Sequence, residues 1–300
     1  MNYSQLPFLY RALCHHALAL LSAFVASGVL LAAPVPDPQQ SAEPKHSKTS
    51  LPTYTVGIVP QFAQRQLFAT WQPILKELTV RTGFQFKLVG TAKIPEFEQQ
   101  FNRGKFDIAY MNPYHVLKAY SSQKYQPIVR DGKRMLRGIL VVHKNSGITN
   151  PAQLAGKTLA MPSPNSLGAS LLIRADLKQK FGVTMQAQYV KTHSSVYLHV
   201  AKQLVAAGGG VLRTLRAQRT DIQNELSILY QTRAIVPHPI TIHPRVPEAH
   251  RQKIKQAILT MAQTDIGKQL LAKIPLHDAV VTSIKDYKIL NEWGLDEFYE

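Results

Sequence analysis

The chain has 300 residues, 45% of them hydrophobic, and carries 35 Lys and Arg against 18 Asp and Glu, a formal net charge of +17 at pH 7. That length exceeds one typical domain and the apolar content suffices for a sizeable core, so two globular lobes are expected. The positive excess favours anionic partners, yet the basic residues are scattered with no basic run interleaved with aromatics, which argues against nucleic acid.

At the N-terminus, Arg11 precedes a charge-free run from Ala17 to Ala33, ALALLSAFVASGVLLAA, that ends in small residues. This reads as a secretory signal over 1–33 with cleavage near Ala32 or Ala33. Leu31 and Pro34 specify that cut poorly, so a retained inner-membrane anchor stays open, although seventeen residues is the short limit for a spanning helix. Cys14, the only cysteine, lies in this segment, and its removal leaves no thiol for disulfides, metal ligation or catalysis. Loss of Arg11 lowers the net charge by one. Residues 34–52 turn to Pro, Ser, Gln and Lys without apolar periodicity and read as a flexible tether.

Folding is expected from Tyr54. The pattern predicts a strand Tyr54–Val59, a helix from about Phe68 to Arg81 stopped by Gly83, a strand Phe84–Val89, a helix Pro95–Arg103 stopped by Gly104, and a strand Phe106–Met111. Leu67, Trp71, Ile74, Leu75 and Leu78 give the first helix one apolar face. Pro73 either kinks that helix or starts it with Thr70 as cap. Leu136–Val142 reads as a buried strand leading into a second unit. There Asn150 and Pro151 start a helical turn ended by Gly156, followed by strand Lys157–Met161, a helix from Gly168 to about Lys180, strand Gln188–Lys191, helix Ser194–Val205 and strand Ser227–Tyr230. Gly208, Gly209 and Gly210 read as a tight turn. A strand Ile240–His243 and helices Pro247–Met261, Asp265–Ile274 and Ser283–Trp293 close the chain. Beyond the leader no apolar run is long enough to span a bilayer. The alternation of strands and helices predicts an α/β fold of two units, each a mainly parallel sheet flanked by helices, with ligand loops at the strand carboxyl ends.

The residues that could carry chemistry favour binding over catalysis. Met161–Ser170, MPSPNSLGAS, feeds a helix start that leaves backbone NH groups unpaired and adds the positive end of the helix dipole, a seat for a small anion. Asn112 and Tyr114 follow another strand end, and His193 follows a third. No GxSxG, kinase or P-loop pattern is present, and the glycine run lacks the Lys and Ser or Thr that a phosphate loop needs. Eleven histidines fall in no HExxH-like spacing; only convergence of His115 and His193 would suggest a metal. No enzyme, cofactor or metal is expected.

Several motifs in order carry a family resemblance: GIVPQ at Gly57–Gln61, FDIAYMNPYHV at Phe106–Val116, Pro164–Gly168, HSSVYLHVAKQLVAAGGGV at His193–Val211, PHPITIHPRVP at Pro237–Pro247, and the closing GLDEFYE. From about Tyr54 to Tyr299 the chain resembles the periplasmic phosphate/phosphite/phosphonate substrate-binding proteins of ABC transporters. The resemblance implies a two-lobed type 2 periplasmic binding fold, with residues 53–141 and 236–300 in lobe 1, residues 142–235 in lobe 2, and two crossing hinge segments. It implies capture of a small oxyanion in the periplasm by lobe closure and delivery to an ABC permease. A membrane-tethered sensor of the same fold, reporting to a separate kinase, is the alternative. The implied ligand-binding set is Gln61, Asn112, Tyr114, Asn165, Ser166, Leu167, Gly168, Ala169 and His193. Where the family has Ser-Thr-Ser-Gly, this chain has Asn165, Ser166, Leu167 and Gly168, and the acid that phosphonate binders place near Ala206 is absent.

Overall fold

The computed structural model describes residues 51–300; the expected leader, and the tether apart from Leu51 and Pro52, lie outside the described residues. The chain opens with β1 (Thr53–Ile58), α1 (Gln64–Thr82), β2 (Gln85–Val89), α2 (Ile94–Asn102), β3 (Ile108–Tyr110), α3 (Pro113–Gln123) and β4 (Gln126–Asp131). It continues with β5 (Gly138–His143), β6 (Thr158–Met161), α4 (Leu172–Phe181), β7 (Gln186–Tyr189), α5 (His193–Ala201), β8 (Ala207–Val211), α6 (Leu212–Arg216), α7 (Thr220–Asn224) and β9 (Leu226–Gln231). β10 (Ile240–Ile242), α8 (Glu248–Met261), α9 (Asp265–Leu271) and β11 (Ala279–Val281) precede two 3₁₀ segments, Ile284–Trp293 and Leu295–Phe298.

Two details near the start depart from the sequence pattern. α1 runs through Pro73 from Gln64, so Thr70 is interior and its hydroxyl donates to the Gln66 carbonyl at 2.9 Å rather than capping. The helix ends as expected at Gly83, whose φ of 69° suits glycine and whose NH closes on the Thr79 carbonyl. The stretch from Asn112 is a helix start, not a loop: the Asn112 side chain accepts from the His115 amide at 2.8 Å, and Pro113 takes the first helical position.

The strands form two sheets, ordered β11-β4-β10-β3-β1-β2 and β7-β6-β8-β5-β9. Both are mixed. β1 pairs in parallel with β2 and β3, and β6 with β7 and β8, whereas β10, β11, β5 and β9 join their neighbours antiparallel. β5, whose first four residues the sequence reading placed with lobe 1, pairs with β8 and β9 of the second sheet. The chain crosses between the sheets over 132–137 and again over 232–239, where the crossing segments bond to each other: the Leu136 amide donates to the Ile235 carbonyl at 2.8 Å and the Ile235 amide returns the bond at 3.0 Å.

Each sheet has its own core. Trp71, Ile74 and Leu75 of α1 and Phe97 and Phe101 of α2 pack with Val56, Ile108 and Ala109 of the first sheet. On the second sheet, Leu140, Leu159 and Met161 meet Ile173 and Leu177 of α4 on one side, while Ile139, Val141 and Ala160 meet Val196, Tyr197 and Val200 of α5 on the other. That alternation along β5 is the two-residue period of a strand buried on both faces. A separate apolar seam joins Tyr114 of α3 and Phe298 near the C-terminus to Leu167, Leu171 and Leu172.

The glycine run is not a turn. Gly208, Gly209 and Gly210 form the centre of β8, flanked by β6 and β5, and every residue of that strand is buried. A Cβ on Gly209 would lie 1.8 Å from the Ala169 carbonyl oxygen, and one on Gly210 would lie 2.0 Å from the Tyr197 hydroxyl. Gly138 of β5 is pinned in the same way, its Cβ position 2.0 Å from the Gly168 carbonyl oxygen. Side chains are excluded at Gly138 and Gly209 because backbone from the segment before α4 lies directly on the two strands, and at Gly210 by Tyr197 of α5. Gly209→Ala is expected to cost at least about 3 kcal/mol in urea unfolding, the upper range for overpacking a buried site. A loss below about 1 kcal/mol, within the range of surface changes, would mean that this contact is not made.

Candidate functional site

The contact between segment and strand builds the site. After β6 the chain makes a wide π-type turn, Leu167–Leu171, before entering α4. The Ser166 carbonyl accepts from both the Ser170 and Leu171 amides, at 2.8 and 3.1 Å, and the Leu172 amide reaches the Leu167 carbonyl. Among the described residues the amides of Leu167, Gly168 and Ala169 are left without an acceptor. These are the orphan donors that every helix start must place somewhere.

Ser166, Leu167 and Gly168 line a small void with Asn112, Gln61, His193 and His238. Its volume is about 10 Å³, room for roughly one water. Most of these groups stand at the carboxyl ends of parallel strands: Gln61 after β1, Asn112 after β3, the turn after β6 and His193 after β7. Through Gln61 the void adjoins a cavity of about 250 Å³ lined by Tyr110, Trp71 and Arg213, and a cleft of about 660 Å³ that also takes in His238 and Arg213.

Two polar atoms in this region are buried with no partner among the described residues, the Tyr110 hydroxyl and His193 Nε2. Such groups are costly unless something binds them. His193 is the first residue of α5, after Thr192, whose side chain caps the helix by accepting from the Ser195 amide. Its Nδ1 lies 3.2 Å from the Thr214 hydroxyl, which is also 2.7 Å from the Tyr197 hydroxyl. Both hydroxyls also reach the Val211 carbonyl, Tyr197 at 3.0 Å and Thr214 at 2.9 Å; when Tyr197 donates to Thr214 and Thr214 to Nδ1, the ring proton sits on Nε2 and makes it a donor.

The charge balance is cationic but sparse. Burial first, and Arg213 second, push His193 down to about 4. Burial, then His115, Arg213 and His193, push His238 down to about 3. Both rings are therefore neutral near pH 7. His238 stacks on Tyr110 with ring centroids 5.4 Å apart and its Nε2 lies 3.3 Å from the Gln61 amide nitrogen. Arg213 supplies the fixed charge: it is anchored by donation to the Lys273 carbonyl at 2.8 Å, lies over the Phe62 ring and, among the described residues, has no carboxylate partner. Burial lowers even its pKa.

The sequence-derived set is only partly brought together. Gln61, Asn112, Ser166, Leu167, Gly168 and His193 line the void, whereas Asn165, Tyr114 and Ala169 do not. The Asn165 amide is occupied by the Glu98 carboxylate at 3.1 Å and the Glu300 carbonyl at 2.5 Å, and its oxygen accepts from the Glu300 amide. It ties the turn to α2 and to the closing residues. The Tyr114 hydroxyl donates to Asp296 at 2.6 Å and its ring belongs to the apolar seam. Leu167, in the position of a family hydroxyl, puts its apolar side chain into that same seam. The Ala169 carbonyl is the group pressed on Gly209. His115 and His193 do not converge as metal ligands: His115 Nε2 meets Glu98 at 2.8 Å and Asn112 at 3.1 Å, inside lobe 1. Tyr110, His238 and Arg213 were missed. Tyr110 and His238 lay in plain view inside quoted motifs, and Arg213 follows the glycine strand that was read as a turn.

The sequence matches, over residues 56–287, the family described as ABC transporter, phosphonate, periplasmic substrate-binding protein. The chain belongs to this family. Solved structures agree on the type 2 periplasmic binding fold. A binding protein component of an ABC phosphonate transporter from Pseudomonas aeruginosa superposes with a TM-score of 0.71 at 17% identity, covering 81% of this chain and 85% of that one. PhnD1 from Prochlorococcus marinus in complex with methylphosphonate gives 0.73 at 17% identity, covering 82% and 98%. The GluR0 ligand-binding core from Nostoc punctiforme gives 0.53 at 14%, covering 73% and 98%. As a substrate-binding component of an ABC transporter the protein is not an enzyme, and its expected partners are a small solute and the transporter.

In this binding protein the buried histidines make stability depend on pH. Their folded pKa values lie below the ordinary 6.5, so between about pH 6.5 and 4 the folded protein binds fewer protons than the unfolded chain and loses stability as pH falls. His193→Gln removes one such group. At pH 4.5 the wild type is expected to lose on the order of 2–3 kcal/mol relative to this variant, with pH 7 as reference. Parallel stability–pH curves in urea unfolding would contradict the burial of a neutral His193.

Proposed function

We propose that the protein captures a small phosphorus oxyanion of the phosphate, phosphite or phosphonate class at the Leu167–Ala169 turn and delivers it to an ABC permease. The observation that carries this reading is the convergence of unpaired donors. Among the described residues, Leu167 and Gly168, whose amides have no acceptor, and His193 with its orphaned Nε2 line the void, and the orphaned hydroxyl of Tyr110 belongs to the adjoining cavity, where Arg213 adds positive charge. An oxyanion with several acceptor oxygens satisfies them together. Each charge-assisted bond contributes roughly 1.5–3 kcal/mol, so a few such donors suffice for micromolar or tighter binding.

A tetrahedral anion needs several times the space of the present void. We take the void to enlarge as the lobes part at the paired crossings, residues 132–137 and 232–239, which meet through the Leu136–Ile235 bridge and the Arg137–Thr232 hydrogen bond. Entry from the wider cleft past Gln61 and His238, then re-closure, excludes water and strengthens the bonds. Family membership favours transport over the tethered sensor. The excess of positive charge over the whole chain speeds anion encounter. The periplasm is the compartment that the family and the apolar leader both support, with cleavage near Ala32 or Ala33 rather than a retained anchor.

Calorimetric titration at moderate salt tests the reading with methylphosphonate, phosphite, phosphate and sulfate. At least one phosphorus oxyanion is expected to bind, His193→Ala to weaken it about 10- to 100-fold, and Arg213→Gln by a similar factor, as loss of a charge-assisted bond implies. Absence of heat and of thermal stabilisation with all four anions would overturn the assignment.

A further inference from the structure

The cleft of about 660 Å³ beside the void has a composition that the oxyanion seat alone does not use. It is lined, among the described residues, by Arg134, Arg137, Arg213 and Arg216 and by no acid. Among the described residues none of the four guanidinium groups has a carboxylate within ion-pair distance. Arg137 donates to the Thr232 carbonyl at 3.1 Å and Arg213 to the Lys273 carbonyl, while Arg134 and Arg216 make no side-chain hydrogen bond there. Four like charges on one concavity repel one another, and uncompensated they focus a field that draws anions. Between them the wall is apolar, with Met135, Leu136, Leu212 and Pro237, and Met135 is 53% exposed. The cleft and the void share Gln61, Leu136, Val211 and His238, so a ligand seated at the turn extends its substituent directly into this space.

We infer that the cleft is a second subsite, built for a phosphonate or phosphate monoester whose organic arm is short and apolar and ends in another anionic group. This rests on the oxyanion reading of the turn and sets its substrate class. The arm lies on Leu136, Leu212 and Pro237, and its terminal anion meets Arg134, Arg137 and Arg216. An arm ending in an ammonium group is disfavoured: it would face four guanidinium groups with no carboxylate to receive it, and the position near Ala206 that could have supplied an acid leads instead into the glycine strand. Like-charge juxtaposition of this kind discriminates between ligands more strongly than the matched pair attracts.

Calorimetry on the purified protein with three probes separates the outcomes: methylphosphonate, 3-phosphonopropionate and 2-aminoethylphosphonate. 3-Phosphonopropionate is expected to bind at least tenfold tighter than methylphosphonate, and 2-aminoethylphosphonate at least tenfold weaker. The double variant R134Q/R216Q, both residues exposed, is expected to bring the first ratio to within about twofold, and Arg216→Glu to narrow or reverse the second. If methylphosphonate binds but the carboxylate adds no affinity, or if the double variant keeps the full preference, the subsite is wrong and the oxyanion seat stands. If 2-aminoethylphosphonate binds as tightly as 3-phosphonopropionate, the subsite is likewise wrong. If no probe binds, the oxyanion seat itself is wrong and the subsite falls with it.

Discussion

The structure depends on one close approach, that of the backbone at Gly168 and Ala169 to the glycines of β5 and β8. The two carbonyl oxygens occupy the places where side chains would begin at Gly138 and Gly209. A planar trans peptide sends its NH the opposite way from its carbonyl, so pressing the Gly168 carbonyl onto the sheet turns the Ala169 amide away from it. The turn is wound as a π-type segment for the same reason. It must lie low on the strands before α4 can rise over them, and the Ser166 carbonyl serves two amides while three go unserved. Glycine at 138 and 209 is thus a condition for the turn to lie this close to the strands.

Around that turn the molecule supplies little charge and many oriented dipoles. His193 and His238 are neutral because burial disfavours the imidazolium, and Arg213 reinforces this. Neutral donors avoid the desolvation penalty of a fully ionic site, while one tethered arginine fixes the sign of the field. The apolar seam containing Leu167, Tyr114, Leu171, Ile235 and Phe298 holds the turn against α3 and the closing residues. Asn165, bonded at once to Glu98 and Glu300, does the same with hydrogen bonds. These residues keep the donors in place.

Much of this was legible in the sequence. Alternating strands and helices, the stop at Gly83, the cap at Asn150 and the turn before α4 follow from periodicity and local chemistry, and the quoted motifs carried the fold. What escaped has common physical causes. Glycine carries no hydrophobic or β-branched signal, so β8 looked like a turn, and Arg213 at its end was passed over. Asn165 looked like a free donor because its partners are 67 and 135 positions away. Tyr114 was diverted by Asp296 in the same way. The sheets proved mixed because β10 and β11 run antiparallel to β3 and β4 in the first and β5 runs antiparallel to β8 and β9 in the second, directions that local periodicity does not carry. Orphaned atoms such as the Tyr110 hydroxyl and His193 Nε2 are properties of packing, which no residue pattern displays.

The central claim is that the unpaired amides of Leu167, Gly168 and Ala169 are the anion seat. The most direct measurement is the amide ¹H and ¹⁵N chemical shifts of the isotopically labelled protein during titration with methylphosphonate. Saturable downfield proton shifts at these three residues, larger than at the other turns and accompanied by movement of the His193 ring signals, are the result predicted. Saturable binding that leaves these three amides unmoved while shifting others would contradict the account.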